Sequence, residues 1–381
     1  MAKKKPTKSG SGINKRIKER DKATMTKIVE MADDVAGSAF KGRDISLAIP
    51  TRTRSNTIWN KKRGILEMGK AKSTRELFNL NGAKQFMQPC LHGNSIKELI
   101  EAEKSLSLRG MYYKGLHTVA GTKEKTFTDQ SESDGILEDL EVTMSSLREE
   151  LHIFAENRGA MVGNITVVDK GDEIDCRRMG SGGYAIPSIT EPDVIEFKKI
   201  DAKFVLHVEK GTVWNRFNED RFWEKHDCIL THGGGQPPRG VRRLLQRFSQ
   251  EAKLDVICLL DCDPWGHYIY SVIKQGSISL AFESERLAIP SAKFLGIRAK
   301  DYDECDLSDD VQIDLNDNDK KRASEIAAYP WFKDHSKWQK EIAKMVSNGF
   351  KMEVESLITK DISYVTEEYV PTRLKKKDWL E

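Results

Sequence analysis

Three acids in the second half of this chain stand where a folded sheet would bring them together. The apolar run Phe204-Val-Leu-His-Val ends at Glu209, and Val256-Ile-Cys-Leu-Leu ends at Asp261, with Asp263 two positions further on. Residues two apart on an extended chain project the same way, so Asp261 and Asp263 can aim at one point. If the two strands are neighbours, Glu209 joins them. Three carboxylates around one point repel one another unless a cation lies between them, and Mg²⁺ suits a shell of carboxylates and water. Each acid also has a plainer reading. Asp263 precedes Pro264, the signature of a helix N-cap followed by proline in the first turn. Glu209 could be an ordinary charge at a strand end. Their joint position at two strand ends favours the metal site.

The elements that must position these acids are legible as an alternation of strands and helices. Strands are expected at 204–208, 227–230, 254–260 and 278–282. Helices are expected at about 213–223 and 240–252, and again after Pro264. Repeated βα units of this length imply a mostly parallel sheet with helices on both faces, and a run such as VICLL fits burial on both sides. Ligand sites in such sheets lie beyond the carboxyl ends of the strands, where the acids fall.

The first half reads differently. Residues 45–69 alternate short apolar pieces with Thr, Arg and Asn, suggesting a β-rich stretch. From about residue 74 the pattern turns helical; Ser95 followed by Glu98 has the spacing of a capping box, an N-terminus signal, and Ile96, Leu99, Ile100 and Glu103 continue a helix. Ile136, Leu140, Met144, Leu147 and Leu151 recur at helical spacing after the polar stretch 129–134. Paired strands are expected at 163–168 and 174–178 around Asp169, Lys170 and Gly171. Helices followed by a β-ribbon read as a winged helix-turn-helix of the CAP-like kind. The Gly/Ser/Pro-rich stretch 180–192 then marks a boundary. The expected organisation is multidomain, α+β followed by α/β. A disordered basic tail covers 1–20, an extension 21–74, a winged-helix domain 75–180 and the metal-binding domain 193–381. The helices at about 320–360 read only as packing elements.

Bulk properties add exclusions. Lys and Arg total 62 against 59 Asp and Glu, for a net charge of +3, so overall charge does not announce nucleic acid. Positive charge is concentrated between Lys3 and Lys27 and at Lys375, Lys376 and Lys377, while 301–319 is acidic. The basic tail reads equally as a solubilising arm or a DNA-contacting one. No apolar run approaches the roughly 18 residues of a membrane span, and no secretory signal is visible, which leaves the cytoplasm as the expected compartment. Six cysteines without a CxxC pair suggest free thiols, with neither disulfide nor structural zinc.

The order of Glu209, Asp261 and Asp263 resembles the Toprim fold of topoisomerases, DnaG-type primases and certain nucleases, which places a Glu at the end of its first strand and a DxD after its third. The segment Ser107-Leu-Arg-Gly-Met-Tyr-Tyr-Lys-Gly-Leu-His117 resembles the tyrosine motif of the topoisomerase VI A-subunit family and its meiotic break-forming relatives. Gly235-Gln-Pro-Pro-Arg-Gly-Val-Arg242 resembles that family's segment after the second Toprim strand, departing from it at Pro238, where meiotic relatives carry an acid. The resemblance implies that Tyr113 is the nucleophile, with Tyr112 its aromatic neighbour and Arg109 its basic companion. Most Tyr-Tyr pairs are core aromatics; Arg109 and the downstream acids argue for the catalytic reading.

A phenol ionises near pH 10, so a tyrosine nucleophile needs a cation nearby, and arginine supplies one without losing its charge. The resemblance thus implies the catalytic A subunit of a type IIB topoisomerase, which cuts duplex DNA through 5′-phosphotyrosyl links with Mg²⁺ and reseals it. Two cuts need two tyrosines, hence a homodimer. The chain has no GxxxxGK[ST] loop, so ATP-driven strand passage needs a separate ATPase, the family's B subunit, in an A₂B₂ assembly. Three alternatives stay open: a meiotic-type break-former, a Toprim nuclease or primase with Tyr113 structural, and a winged-helix regulator without catalysis.

Overall fold

The computed structural model describes residues 8–381, which fall into two compact units. One comprises the residues up to Asn56 together with Gly69–Glu156, the other Thr57–Met68 and Asn157–Glu381. No helix among the described residues is long and apolar enough to cross a membrane.

The first unit opens with helix α1, Lys8–Phe40. The disorder expected over 1–20 is therefore corrected from residue 8 onward, while residues 1–7 lie outside the described residues. Lys, Arg and Glu are good helix formers, and Met25, Ile28, Met31 and Val35 dock the later turns on the unit's cores. Once one end is docked, each added residue gains a hydrogen bond without a new nucleation cost. Strand β1, Ser46–Pro50, pairs antiparallel with β4, Lys72–Glu76; between them β2, Thr57–Asn60, and β3, Ile65–Met68, form a hairpin that belongs to the second unit.

Helix α2 spans Ala83–Glu101. The N-terminus signalled at Ser95 is corrected, because Phe86, His92, Ile96, Leu99 and Ile100 make one buried stripe running past it, and Ser95 is itself buried. Burial of that stripe overrides the local capping pattern. Then follow β5, Leu106–Ser107, helix α3, Leu108–Gly115, and helix α4, Gln130–Thr143, whose first turn is capped by Asp129 accepting from Glu132 N at 3.0 Å. Strand β6, Ile153–Phe154, pairs parallel with β5. Ile96, Met111, Leu137, Leu140, Leu151 and Ile153 fill the centre.

The second unit carries β7 (Ala160–Gly163), β8 (Ile165–Asp169), β9 (Asp172–Asp175), β10 (Tyr184–Ala185) and β11 (Ile195–Ile200). After these come β12 (Phe204–Val208), α5 (Gly211–Glu219), α6 (Phe222–Lys225), β13 (Cys228–His232) and α7 (Arg239–Gln250). The core is completed by β14 (Asp255–Leu259), α8 (Pro264–Gln275), α9 (Ser284–Leu287) and β15 (Lys293–Phe294). Its main sheet has the order β10-β7-β13-β12-β14-β15. The four strands β13, β12, β14 and β15 are parallel, while β7 and β10 add an antiparallel edge.

Two expectations shift here. The ribbon at 163–178 is not a wing on the helical unit: β8 and β9 form a separate sheet of order β11-β8-β9 within the second unit. The break between units thus falls at Glu156/Asn157, ahead of the Gly/Ser/Pro-rich stretch. The fourth parallel strand is Lys293–Phe294, not 278–282, where Ala281–Glu283 instead makes a short 3-10 turn. A brief apolar run does not distinguish strand from helix by itself. All six cysteines are free.

Candidate catalytic site

Strand β12 lies between β13 and β14, with Val208 opposite both His232 and Leu259. Its last four residues are buried, which is why the run is apolar apart from His207. His207 is accommodated by its Nδ1, 3.0 Å from Thr231 Oγ1. Register therefore delivers Glu209 to the carboxyl edge of the sheet, beside the exit of β14. Glu209 N donates to Leu259 O at 3.1 Å, and Glu209 Oε2 accepts from Asp261 N at 3.3 Å. The Gly-Gln-Pro-Pro loop closes from the other side, Gly235 N donating to Glu209 O at 2.9 Å.

Asp261 is nearly inaccessible, and both of its oxygens are engaged. Oδ1 accepts from Val354 N at 2.8 Å, and Oδ2 faces Lys210 Nζ at 2.9 Å. Asp263 is the N-cap of α8, accepting from Gly266 N through Oδ1, with Pro264 in the first turn. The capping geometry read from Asp-Pro is thus present, and a capping carboxylate keeps its second oxygen for another partner. Gly266 is needed here, since a Cβ would lie 2.5 Å from Asp261 O and 3.2 Å from Asp263 Oδ1.

The electrostatics show what the cluster lacks. Burial, then the Asp261 charge, pushes Glu209 up to about 8. Burial raises Asp261 to about 6 despite its bonds from Lys210 and Val354, and burial also raises Asp263. Carboxyls held this far above their ordinary range need added positive charge to ionise together. Three oxygen acids at adjoining strand exits are the donor set Mg²⁺ takes, so the chemistry fits. The geometry is not collapsed around an ion: among the described residues no three His, Cys, Asp or Glu side chains are grouped closely enough to hold one.

Three residues near the acids were not recognised from sequence as part of the site. Lys210 Nζ reaches Glu353 Oε2 at 3.0 Å and Glu355 Oε2 at 3.3 Å as well as Asp261. Burial opposes the ammonium, but bonding to Asp261 and then Glu353 outweighs it and raises the lysine's pKa. The only sequence signal was the adjacency of Lys210 to Glu209; the two glutamates lie in a segment read as packing.

The tyrosine pair sits in the first unit. Helix α3 is capped by Ser107 Oγ accepting from Gly110 N at 3.0 Å and anchored by Met111, which is fully buried. Gly110 allows close packing: a Cβ there would lie 2.6 Å from Leu106 Cγ. Tyr113 is 58% exposed, which removes the core-aromatic reading for it. Its ring centroid is 5.2 Å from that of the adjacent Tyr112, and 5.9 Å from Cζ of Arg109, which lies one helical turn earlier. Tyr113 and Arg109 are brought together in one unit, while Glu209, Asp261 and Asp263 stand at adjoining strand exits of the other without closing into a metal-binding group.

Comparison with known proteins decides the family. Residues 204–374 match the Toprim domain of the topoisomerase 6 A-subunit/Spo11 family, 84–153 the "Type IIB DNA topoisomerase" family and 155–201 the "All-beta domain in DNA topoisomerase VI alpha subunit". The chain is 39% identical over 359 residues to the A subunit of type 2 DNA topoisomerase 6 from Aeropyrum pernix, covering 90% of this chain and 92% of the relative. It belongs to the topoisomerase VI A-subunit family. The corresponding subunit of Hyperthermus butylicus is 37% identical over 379 residues, 95% of this chain and 97% of the relative. The A3 subunit of DNA topoisomerase 6 from Oryza sativa subsp. indica is 32% identical over 365 residues, 96% of this chain and 80% of the relative. The Toprim match begins at the first residue of β12, and the all-beta match covers the β8–β9–β11 sheet, in keeping with the break at Glu156/Asn157.

Proposed function

We propose that this chain is the DNA cleavage and resealing subunit of a type IIB topoisomerase, acting as a homodimer with a separate ATPase subunit in an A₂B₂ complex in the nucleoid. The observation that carries this reading is the exposed Tyr113 with Arg109 one helical turn away, in a chain that also gathers Glu209, Asp261 and Asp263 at the carboxyl edge of its sheet. A nuclease or primase would have no use for the exposed pair. The helical part of the first unit is proposed as the winged helix that presents the tyrosine to DNA.

The phenolate oxygen of Tyr113 attacks a DNA phosphorus in line, the bond to the 3′-oxygen breaks, and that oxygen takes up a proton. The products are a 5′-phosphotyrosyl link and a 3′-hydroxyl. Arg109 places a permanent positive charge beside the attacking ring. Glu209, Asp261 and Asp263 would hold Mg²⁺, which when bound supplies positive charge to the phosphate and the leaving oxygen. Because the phosphoester is exchanged and not hydrolysed, the 3′-hydroxyl can reverse the step without fresh energy. The test is to incubate the chain with its ATPase partner, supercoiled plasmid, Mg²⁺ and ATP, then denature. Linear DNA with protein on both 5′ ends is expected; breaks free of protein would point to a hydrolytic nuclease.

A further inference from the structure

Lys210 stands at the acidic edge, and the cleavage chemistry leaves its role unassigned. It follows Glu209 directly, and its side chain is 27% exposed. Its ammonium touches three carboxylates on two separate segments, Asp261 at 2.9 Å, Glu353 at 3.0 Å and Glu355 at 3.3 Å. The segment bearing the two glutamates is fixed against β14's exit by backbone bonds. Cys262 N donates to Met352 O at 2.9 Å, Met352 N to Cys262 O at 3.1 Å, and Val354 N to Asp261 Oδ1 at 2.8 Å. Glu355 is also held by Thr212 Oγ1 at 3.0 Å. The ammonium therefore has two anchored alternatives beside Asp261.

We propose that Lys210 is a tethered counter-cation: its ammonium neutralises Asp261 while no divalent ion is bound and withdraws onto Glu353 and Glu355 when one binds. This rests on the metal reading of Glu209, Asp261 and Asp263 above and goes beyond it. Mg²⁺ must approach a carboxylate oxygen to about 2.1 Å, and Asp261 Oδ2 already carries an ammonium while Oδ1 carries a backbone donor. Two cations cannot share that oxygen at such range without strong repulsion. The ion therefore displaces the ammonium, and the displaced group keeps partners instead of being stranded. The ion-free chain thereby tolerates its buried acids. Mg²⁺ in turn binds more weakly and reversibly than bare acids would hold it, because each binding event must first move the lysine.

The experiment uses the full-length chain and its Lys210→Met, Lys210→Gln, Lys210→Arg and Asp261→Asn variants. Mg²⁺ dissociation constants are measured by titration calorimetry, and melting temperatures with EDTA and with Mg²⁺. Lys210→Met, and Lys210→Gln should the apolar variant not fold, is expected to bind Mg²⁺ roughly tenfold more tightly, since a competing cation is gone. Its melting temperature is expected to fall in EDTA and to recover in Mg²⁺. Lys210→Arg, which keeps the charge, is expected to bind no more tightly than the wild type. Unchanged or weaker Mg²⁺ binding in the neutral variants, with Asp261→Asn abolishing binding, overturns the role of the lysine alone. A wild type that binds no Mg²⁺ and a Lys210→Met variant that binds none either overturn the metal reading and this inference together.

Discussion

At the scale of the residue, the proposed chemistry is divided between an exposed phenol, Tyr113, and carboxylates at the sheet's edge of which Asp261 is almost wholly buried. Tyr113 is exposed while Met111, two positions earlier, is fully buried, so α3 presents one face and anchors the other. Tyr113→Phe removes only the phenolic oxygen. It is expected to abolish covalent protein–DNA adducts while leaving DNA affinity nearly unchanged, read by adduct trapping and a binding titration. Tyr112→Phe is expected to be far milder; adducts that survive the first change and vanish in the second would reassign the nucleophile. The acids need a finer test, because Asp263 caps α8. Asn caps about as well as Asp, so Asp263→Asn should leave the melting temperature nearly unchanged yet reduce cleavage at limiting Mg²⁺. Glu209→Gln and Asp261→Asn should reduce it too. Wild-type cleavage by Asp263→Asn at low Mg²⁺ would restrict Asp263 to capping. The placement of Glu209, Asp261 and Asp263 at adjoining strand exits was legible because strand ends are set by local pattern. Glu353 and Glu355 were not, because they reach the acids through the bridge between Cys262 and Met352, distant in sequence.

At the scale of the element, strands buried on both faces announced themselves, and β12, β13 and β14 fall close to where the apolar runs predict. Elements shaped by distant partners did not. The 163–178 ribbon has the pattern of any hairpin; only its pairing with β11 shows which unit owns it. Helix α2 conceals a further constraint, His92, which is fully buried with Nε2 2.9 Å from Ser133 Oγ on α4 and its ring stacked on Phe127. Burial pushes His92 down to about 4 from its ordinary 6.5. Between those values the unfolded chain binds the extra proton and the folded chain does not. The stability from a neutral His92 is thus complete above about 6.5 and is lost as pH falls toward 4, as much as about 3 kcal/mol. His92→Phe keeps the stacking and removes the titration. It is expected to be less stable at pH 7, because Ser133 loses its partner, but to lose less further stability by pH 4.5 than the wild type. Denaturant midpoints across that range decide it, and parallel pH profiles for the two proteins would contradict the assignment.

At the scale of the whole molecule, cutting and resealing are only half of moving one duplex through another. Strand passage requires a gate to open and close in sequence, and a ligand biases such a conformational equilibrium only through different affinities for its two states. ATP can therefore drive the cycle only if some component of the complex binds it differently in the open and closed states. This chain has no GxxxxGK[ST] loop: Gly64–Ala71 has the spacing but ends in Ala71 and runs through strand β3, and Lys210-Gly211-Thr212 is spent elsewhere. Lys210 bridges Asp261, Glu353 and Glu355, and Thr212 donates to Glu355. A phosphate placed there would meet a surplus of carboxylates, which repel it. The proposed function therefore assigns the nucleotide to a partner chain. Purified chain incubated with negatively supercoiled plasmid, Mg²⁺ and ATP is expected to show no multi-turnover relaxation or decatenation. Adding the ATPase subunit is expected to confer both, with Tyr113→Phe abolishing them again. Sustained ATP-dependent relaxation by the chain alone would mean that it binds and uses nucleotide itself, and the division of labour between two subunits would have to be given up.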